Sequence, residues 1–146
     1  MNKKIINVLN KSITTIVYIT YPLVLAFLVI TQDARFWRVL LAPAISFVLV
    51  SLFRRYIDAP RPYEVSDAEP IIKKDTKGQS FPSRHVFSIF VIATTLYYIS
   101  KPLGLAFMIA GVLLAILRVI GGVHFPRDVV VGAIIGILSG MLGFYL

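Results

Sequence analysis

Long uncharged runs alternate with short polar interruptions along this chain. Ser12 to Gln32 holds no Asp, Glu, Lys or Arg, a length that predicts a first membrane-spanning helix. Pro22 lies inside it, where a kink is the expected consequence and one that lipid tolerates. Asp33 to Arg38 reads as a polar turn, with Trp37 at its edge as an interfacial aromatic. The next run, Val39 to Phe53, is short for a span, so its helix is predicted to begin near Phe36 and to end around Arg54 and Arg55. Val86 to Ser100 forms the third run, lengthened if it starts at Ser83, and Lys101-Pro102 breaks it from the fourth, Leu103 to Leu117. The fifth, Val129 to Leu146, opens with Pro126 in a first-turn position and Asp128 near the positive helix end.

The predicted fold is therefore all-α, a polytopic membrane bundle of about five transmembrane helices in a single domain over residues 1–146. Residues 1–11, Lys-rich and weakly amphipathic, are expected to lie at the membrane surface. No small-residue cleavage site follows the first apolar run, so that run is expected to stay as an anchor. Between about Tyr56 and Pro82 the composition changes to Pro60, Pro62, Pro70, Gly78 and most of the acidic residues. A connection this long in a compact protein is functional or disordered. With an odd number of spans, this loop and the one after span four share a face with the N-terminus. Gly132, Gly136, Gly140 and Gly143 make a small-residue ridge suited to close helix packing, inside one subunit or between two; the oligomeric state stays open.

Composition agrees with this picture and adds charge. Hydrophobic residues are 58% of the chain and charged ones 15%, with a mean hydropathy of +0.83, outside the range of soluble domains. The formal net charge is +8 with no cysteine. Disulfide and thiolate chemistry are excluded, and no nucleic-acid motif is present. In a membrane chain the partners that match such a charge are anionic headgroups and phosphate. Outside the polar clusters described next, eight cations (Lys3, Lys4, Lys11, Arg55, Lys73, Lys74, Lys77, Arg127) fall on the face of the two unusual loops and three (Arg35, Arg38, Lys101) on the other. The positive-inside rule then places that face in the cytoplasm.

Three polar constellations converge there. Arg54-x6-Arg61-Pro62 follows span two, and two guanidiniums offer planar bidentate donors to phosphate oxygens. Phe81-Pro82-Ser83-Arg84-His85 opens span three, with Ser83 as a helix cap, backbone N–H groups aimed at any anion beyond it, and His85 in the first turn, able to donate a proton. Arg118, His124 and Asp128 form the third. A His and an Asp four residues apart share one face of a helix, so the carboxylate can hold one imidazole nitrogen and leave the other as a nucleophile. Singly, each has a plainer explanation: arginine as topology signal, a capped helix with a stray histidine, a snorkelling cation. Together they supply about three guanidiniums, a helix N-terminus, two histidines and a carboxylate, a set fit for phosphoryl transfer.

In order and spacing these residues resemble the PAP2 superfamily, the type 2 phosphatidic acid phosphatases of membranes. The family's motifs read Lys-x6-Arg-Pro, Pro-Ser-Gly-His and Ser-Arg-x5-His-x3-Asp. This chain has Arg54-x6-Arg61-Pro62, Pro82-Ser83-Arg84-His85 and Leu117-Arg118-x5-His124-x3-Asp128. It departs by Arg54 for lysine, Arg84 for glycine and Leu117 for serine.

The resemblance implies a lipid phosphatase with His124 as nucleophile, Asp128 orienting it and His85 as general acid. It also implies that Arg54, Arg61, Ser83 and Arg118 bind the phosphate, with no metal and no cofactor; Arg84, a departure from the family's glycine, is expected to add a cation to that set. The implied partners are membrane lipids and a lipid phosphate or diphosphate of a bacterial plasma membrane, a polyprenyl diphosphate before phosphatidylglycerol phosphate or phosphatidate. A non-catalytic protein that binds anionic lipid would need the arginines but neither histidine. An ion conductor would carry its ionisable residues along the span interiors, which are nearly free of them.

Overall fold

Helices α1 (Lys3–Ile30), α2 (Phe36–Ile57), α3 (Pro62–Val65), α4 (Arg84–Ile99), α5 (Lys101–Ile120) and α6 (Pro126–Tyr145) make up the secondary structure of the protein, seen in a computed structural model that describes residues 2–145. Four stretches are long and apolar enough to cross a membrane: α1, α2 with its continuation α3, α5 and α6. Large apolar side chains such as Ile30, Leu23 and Ile109 are exposed along them, a surface suited to hydrocarbon rather than water. This is an integral membrane protein with an all-helical fold.

The fifth long helix, α4, has 16 residues, or about 24 Å at 1.5 Å per residue. It occupies the centre of the bundle, and a buried run from Val86 to Leu96, interrupted only at the half-buried Ser88, packs on the surrounding helices. A helix sheathed by protein need not match the hydrocarbon thickness by itself. The buried hydroxyls of Thr94 and Thr95 donate to the carbonyls of Phe90 and Ile92 at 2.8 Å, so no polar group is stranded there.

Two local expectations change. The Lys-rich start is not a separate surface segment. Asn2 caps α1 by accepting the Lys4 N–H at 2.7 Å, and Ile6 and Ile13 are buried in the core. Those inward contacts draw the first turns into the bundle. Nor does Lys101-Pro102 lie between helices: the break is Ser100 alone, in extended conformation, and Pro102 falls in the first turn of α5, where a missing N–H breaks no bond. The end of the fifth predicted span, Leu146, lies outside the described residues.

The glycine ridge is consumed within the subunit. A Cβ at Gly132 would stand 2.7 Å from the Ser83 carbonyl oxygen, and one at Gly136 would stand 2.7 Å from that of Phe87. Gly140 faces Thr94, while Gly143 turns to Ala42 of α2. The ridge therefore sets the distance between α6 and α4, and with it the position of the first turns of both helices. Gly136→Ala should push against the α4 backbone and destabilise the protein by about 1–3 kcal/mol. Ile109→Ala, on the exposed face of α5, should change it little. Thermal unfolding in detergent compares the two; equal melting temperatures would refute the packing role of the ridge.

Candidate active site

Five chain segments meet at the end of the bundle that holds the start of α1. Arg54 comes from the last turn of α2, Arg61 from the short link before α3, and Arg84 and His85 from the first turn of α4. Arg118 ends α5, His124 sits in the turn that follows, and Asp128 is the third residue of α6. The common face expected from an odd number of passes is what the fold delivers. Asn10 of α1 reaches Arg118 Nη1 at 3.4 Å, which ties the N-terminal helix to it.

At the centre is a cavity of about 110 Å³ walled by Arg54, Arg61, Lys74, Thr76, Gln79, Arg84, His85 and His124. Its cations carry no carboxylate partner within ion-pair distance among the described residues. Backbone carbonyls hold two of them instead. Arg61 Nε donates to the Gly78 oxygen at 2.9 Å and Nη1 to that of Val123 at 3.2 Å. Arg54 donates through Nε and Nη2 to the Gln79 oxygen, the former at 3.1 Å. A carbonyl satisfies a guanidinium N–H without cancelling its charge. The wall is left strongly positive, with Arg54 only 5% and Arg61 only 1% exposed, a state that calls for an anion.

The acidic residues nearby do a different job. Glu64 Oε2 accepts the backbone N–H of Arg61 at 2.6 Å and of Gly78 at 2.9 Å. Asp58 Oδ1 accepts that of Gln79 at 3.2 Å. Gly78 sits at φ +72°, with Asp58 where its Cβ would be, so only glycine fits this turn. Both carboxylates thus fold the loop back and aim its carbonyls at the arginines.

His124 and Asp128 do meet, but not on one helical face. His124 lies in the turn before α6, and its Nδ1 stands 3.5 Å from Asp128 Oδ2. The turn is closed by the Phe125 N–H donating to the same oxygen at 2.8 Å. Ser80, fully buried, donates its hydroxyl to Asp128 Oδ2 at 2.5 Å and lies 3.4 Å from His124 Nδ1. With Nδ1 engaged by these two partners, Nε2 is the nitrogen left over, an assignment that follows from the partners. Burial disfavours the charged imidazole and pushes His124 down to about 4, against the pull of Asp128 in the other direction.

Of the five expected phosphate ligands, Arg54, Arg61 and Arg84 line the cavity and two are placed differently. Arg84 lines the cavity, with its guanidinium 5.2 Å from the centre of the Phe47 ring and Nη1 3.4 Å from Ser51 Oγ. Ser83 and Arg118 do not form its wall. Ser83 is fully buried, and its hydroxyl accepts the Val86 N–H at 3.4 Å, as a helix cap does. Arg118 stands behind, with Nε and Nη2 buried and without a protein partner. Among the described residues no three His, Asp or Glu side chains gather as a metal site would require.

The sequence spacings passed over Ser80, Lys74, Thr76 and Gln79. They sit in an irregular loop without periodicity, and only its return onto α2 and the turn after α5 brings them in. The Ser80 N–H donates to the Ala59 oxygen at 3.0 Å, and the Ile71 and Ile72 N–H groups to that of Gly121 at 2.8 and 3.1 Å.

Since burial holds His124 neutral, NMR of the imidazole nitrogens in detergent should show His124 uncharged down to pH 5, with a midpoint near 4 in place of the ordinary 6.5. A midpoint at 6 or above for His124 would contradict the enclosure described.

Comparisons with known proteins bear on what such a cavity does. Among solved structures, Aquifex aeolicus LpxE superposes with a TM-score of 0.80 at 29% identity, over 99% of this chain and 93% of that one. A transmembrane PAP2 type phosphatidylglycerolphosphate phosphatase from Bacillus subtilis has a TM-score of 0.77 at 22% identity, over 95% of this chain and 75% of that one, a likeness of fold. The bacitracin transport permease protein BcrC of Bacillus licheniformis is 35% identical over 66 residues, 45% of this chain. That match spans 32% of BcrC, about a third of its length. The PAP2 superfamily model matches residues 35–146. Because that match takes in every side chain around the cavity, the chain belongs to the PAP2 superfamily.

Proposed function

We propose that the protein hydrolyses a phosphomonoester or diphosphate carried on a lipid, through a phosphohistidine on His124. The observation that carries this reading is the cluster of buried arginines without carboxylate counter-ions, set around two histidines of which one is backed by Asp128.

In the first step His124 Nε2 attacks phosphorus in line. The P–N bond forms as the P–O bond to the leaving group breaks, the lipid alcohol of a phosphomonoester or the lipid monophosphate of a diphosphate, and His85 gives its proton to the departing oxygen. Asp128 and Ser80 hold the Nδ1 side of the ring and stabilise the charge it gains. In the second step His85 takes a proton from water. The hydroxide attacks phosphorus, the P–N bond breaks and inorganic phosphate leaves. Arg54, Arg61 and Arg84 hold the equatorial oxygens as charge develops, with the amides after Ser83 completing the cradle and Arg118 adding positive charge from behind the wall. Neither step calls on a metal.

An amphiphilic substrate suits a cavity of this size at one end of a membrane bundle. A polyprenyl diphosphate is the preferred class; phosphatidylglycerol phosphate and phosphatidate are the alternatives. Phosphate release by the detergent-purified protein with chelator present should be followed on all three lipids, on farnesyl diphosphate and on a soluble phosphomonoester. Release from at least one lipid should survive chelator and fall about 10³-fold or more in His124→Ala. If chelator abolishes release, the metal-free steps are wrong. If no lipid is cleaved, or the variant equals the parent, the catalytic reading gives way to a protein that binds anionic lipid.

The excess of Lys and Arg on the active-site face supports a cytoplasmic orientation for it. The chain has no cysteine, so Lys77→Cys reports on sidedness by itself. A membrane-impermeant maleimide should label it in opened vesicles but not in intact cells; labelling in intact cells would reverse the orientation.

A further inference from the structure

Lys74 is the one charged residue of the cavity wall that none of the three motif spacings includes. Its backbone is pinned on both sides. Upstream, Ile71 and Ile72 donate to Gly121, and Asn7 Nδ2 of α1 donates to the Ile71 oxygen at 3.0 Å. Downstream, the Tyr63 hydroxyl donates to the Thr76 oxygen. A side chain carried on a tethered strand of loop keeps its place, unlike a lysine on a free loop. It is half-buried, and no carboxylate comes within ion-pair distance of it among the described residues.

Lys74 also stands where the inner cavity adjoins a larger outer cleft of about 780 Å³, lined in addition by Lys3, Asn7, Glu69, Lys73 and Asp75. The cleft is mixed in charge, and neither of its acids pairs with Lys74. Its ammonium therefore belongs electrostatically to the cavity, where the other charged wall residues are arginines.

From this placement we infer that Lys74 is a further substrate-binding residue, donating to phosphoryl oxygens beside Arg54 and Arg61. The inference rests on the lipid phosphatase reading of the same site.

Such a ligand has one property the arginines lack: it can lose its charge in a usable pH range. Burial first, and then the nearby cations Arg118, Arg61, Arg54 and Arg84, push Lys74 down to about 8. Arg118 approaches from α5, Arg54 from the end of α2, Arg61 from the link before α3, Arg84 and His85 from α4, and His124 from the turn after α5. On its own side stand Lys73, Asp75 and Glu69, with Lys3 from α1. As pH rises through about 8 the free enzyme loses this cation, so affinity for the anion falls on the alkaline side. The substrate phosphate has already lost its second proton near pH 6 and adds nothing there.

The test is kcat/KM against pH for the parent, Lys74→Met and Lys74→Arg, on whichever lipid phosphate the parent cleaves fastest. The parent should decline relative to Lys74→Arg above pH 8, a ratio in which the titration of His85, common to all three proteins, cancels. Lys74→Met should be about 10- to 100-fold lower than the parent at pH 7, the loss of one charged hydrogen bond to the anion, and that gap should narrow above pH 8. Lys74→Arg should restore most of the rate, and its ratio to the parent should rise past pH 8, which a merely structural lysine would not produce. Binding of inorganic phosphate to parent and variants, followed by phosphorus NMR, gives the same comparison without turnover. Unchanged phosphate affinity in Lys74→Met, or a ratio of Lys74→Arg to parent that stays constant through pH 8, overturns the inference. A parent that binds phosphate through Lys74 yet cleaves no lipid overturns the catalytic reading instead.

Discussion

Buried arginines held by carbonyls rather than by carboxylates are the constraint on which the rest of this protein is arranged. An Arg–carboxylate pair at the cavity would satisfy the same N–H groups and leave no field for a substrate. Here Asp58 and Glu64 are within the loop yet spend their oxygens on backbone amides of Arg61, Gly78 and Gln79. That turns the Gly78 and Gln79 carbonyls toward Arg61 and Arg54. Positive charge is preserved in a place where desolvation makes it count, and the arginines are fixed before any phosphate arrives. Donors held ready in this way lower the barrier most where the transition state spreads negative charge over several oxygens, as a phosphoryl group in transfer does.

Helix packing transmits the same constraint. The small-residue face of α6 lets it lie against α4 so closely that the Ser83 N–H donates to the Asp128 oxygen at 2.9 Å. The capped start of α4, which carries His85, and the start of α6, which carries Asp128, are thereby one rigid unit. Ser80 adds the link between that unit and the arginine loop, since its hydroxyl is on Asp128 and its N–H on Ala59. The two histidines, the carboxylate and the cations come from five segments, but few degrees of freedom separate them.

The departures from the family pattern find local explanations. Leu117, where the family has serine, is fully buried among apolar neighbours and serves packing. Arg84, where the family has glycine, lies over the Phe47 ring and beside Ser51 while still lining the cavity. The position has gained a cation that an aromatic of α2 steadies. Arg54 keeps the charge of lysine and uses its fork on a single carbonyl, that of Gln79.

The pattern of apolar runs was enough to give the helices, their number and the shared face of both polar loops, because lipid demands length and uniform hydrophobicity of any segment that crosses it. Motif spacing singled out His85, His124, Asp128 and the arginines, and the fold brings them to one end of the bundle because each sits within a few residues of a helix end. What the sequence could not reveal is carried by the loop over residues 58–82. Ser80, Lys74 and the carbonyls of Gly78 and Gln79 reach the site through long-range hydrogen bonds to Ala59, Gly121 and Asp128, and irregular backbone has no periodicity from which such contacts can be read. The inclusion of the lysine-rich start in α1, and the retreat of Ser83 and Arg118 behind the cavity wall, were likewise decided by packing. Residue types and their spacing determine which chemistry is available; only the tertiary fold decides which groups face the phosphate and which hold those groups still.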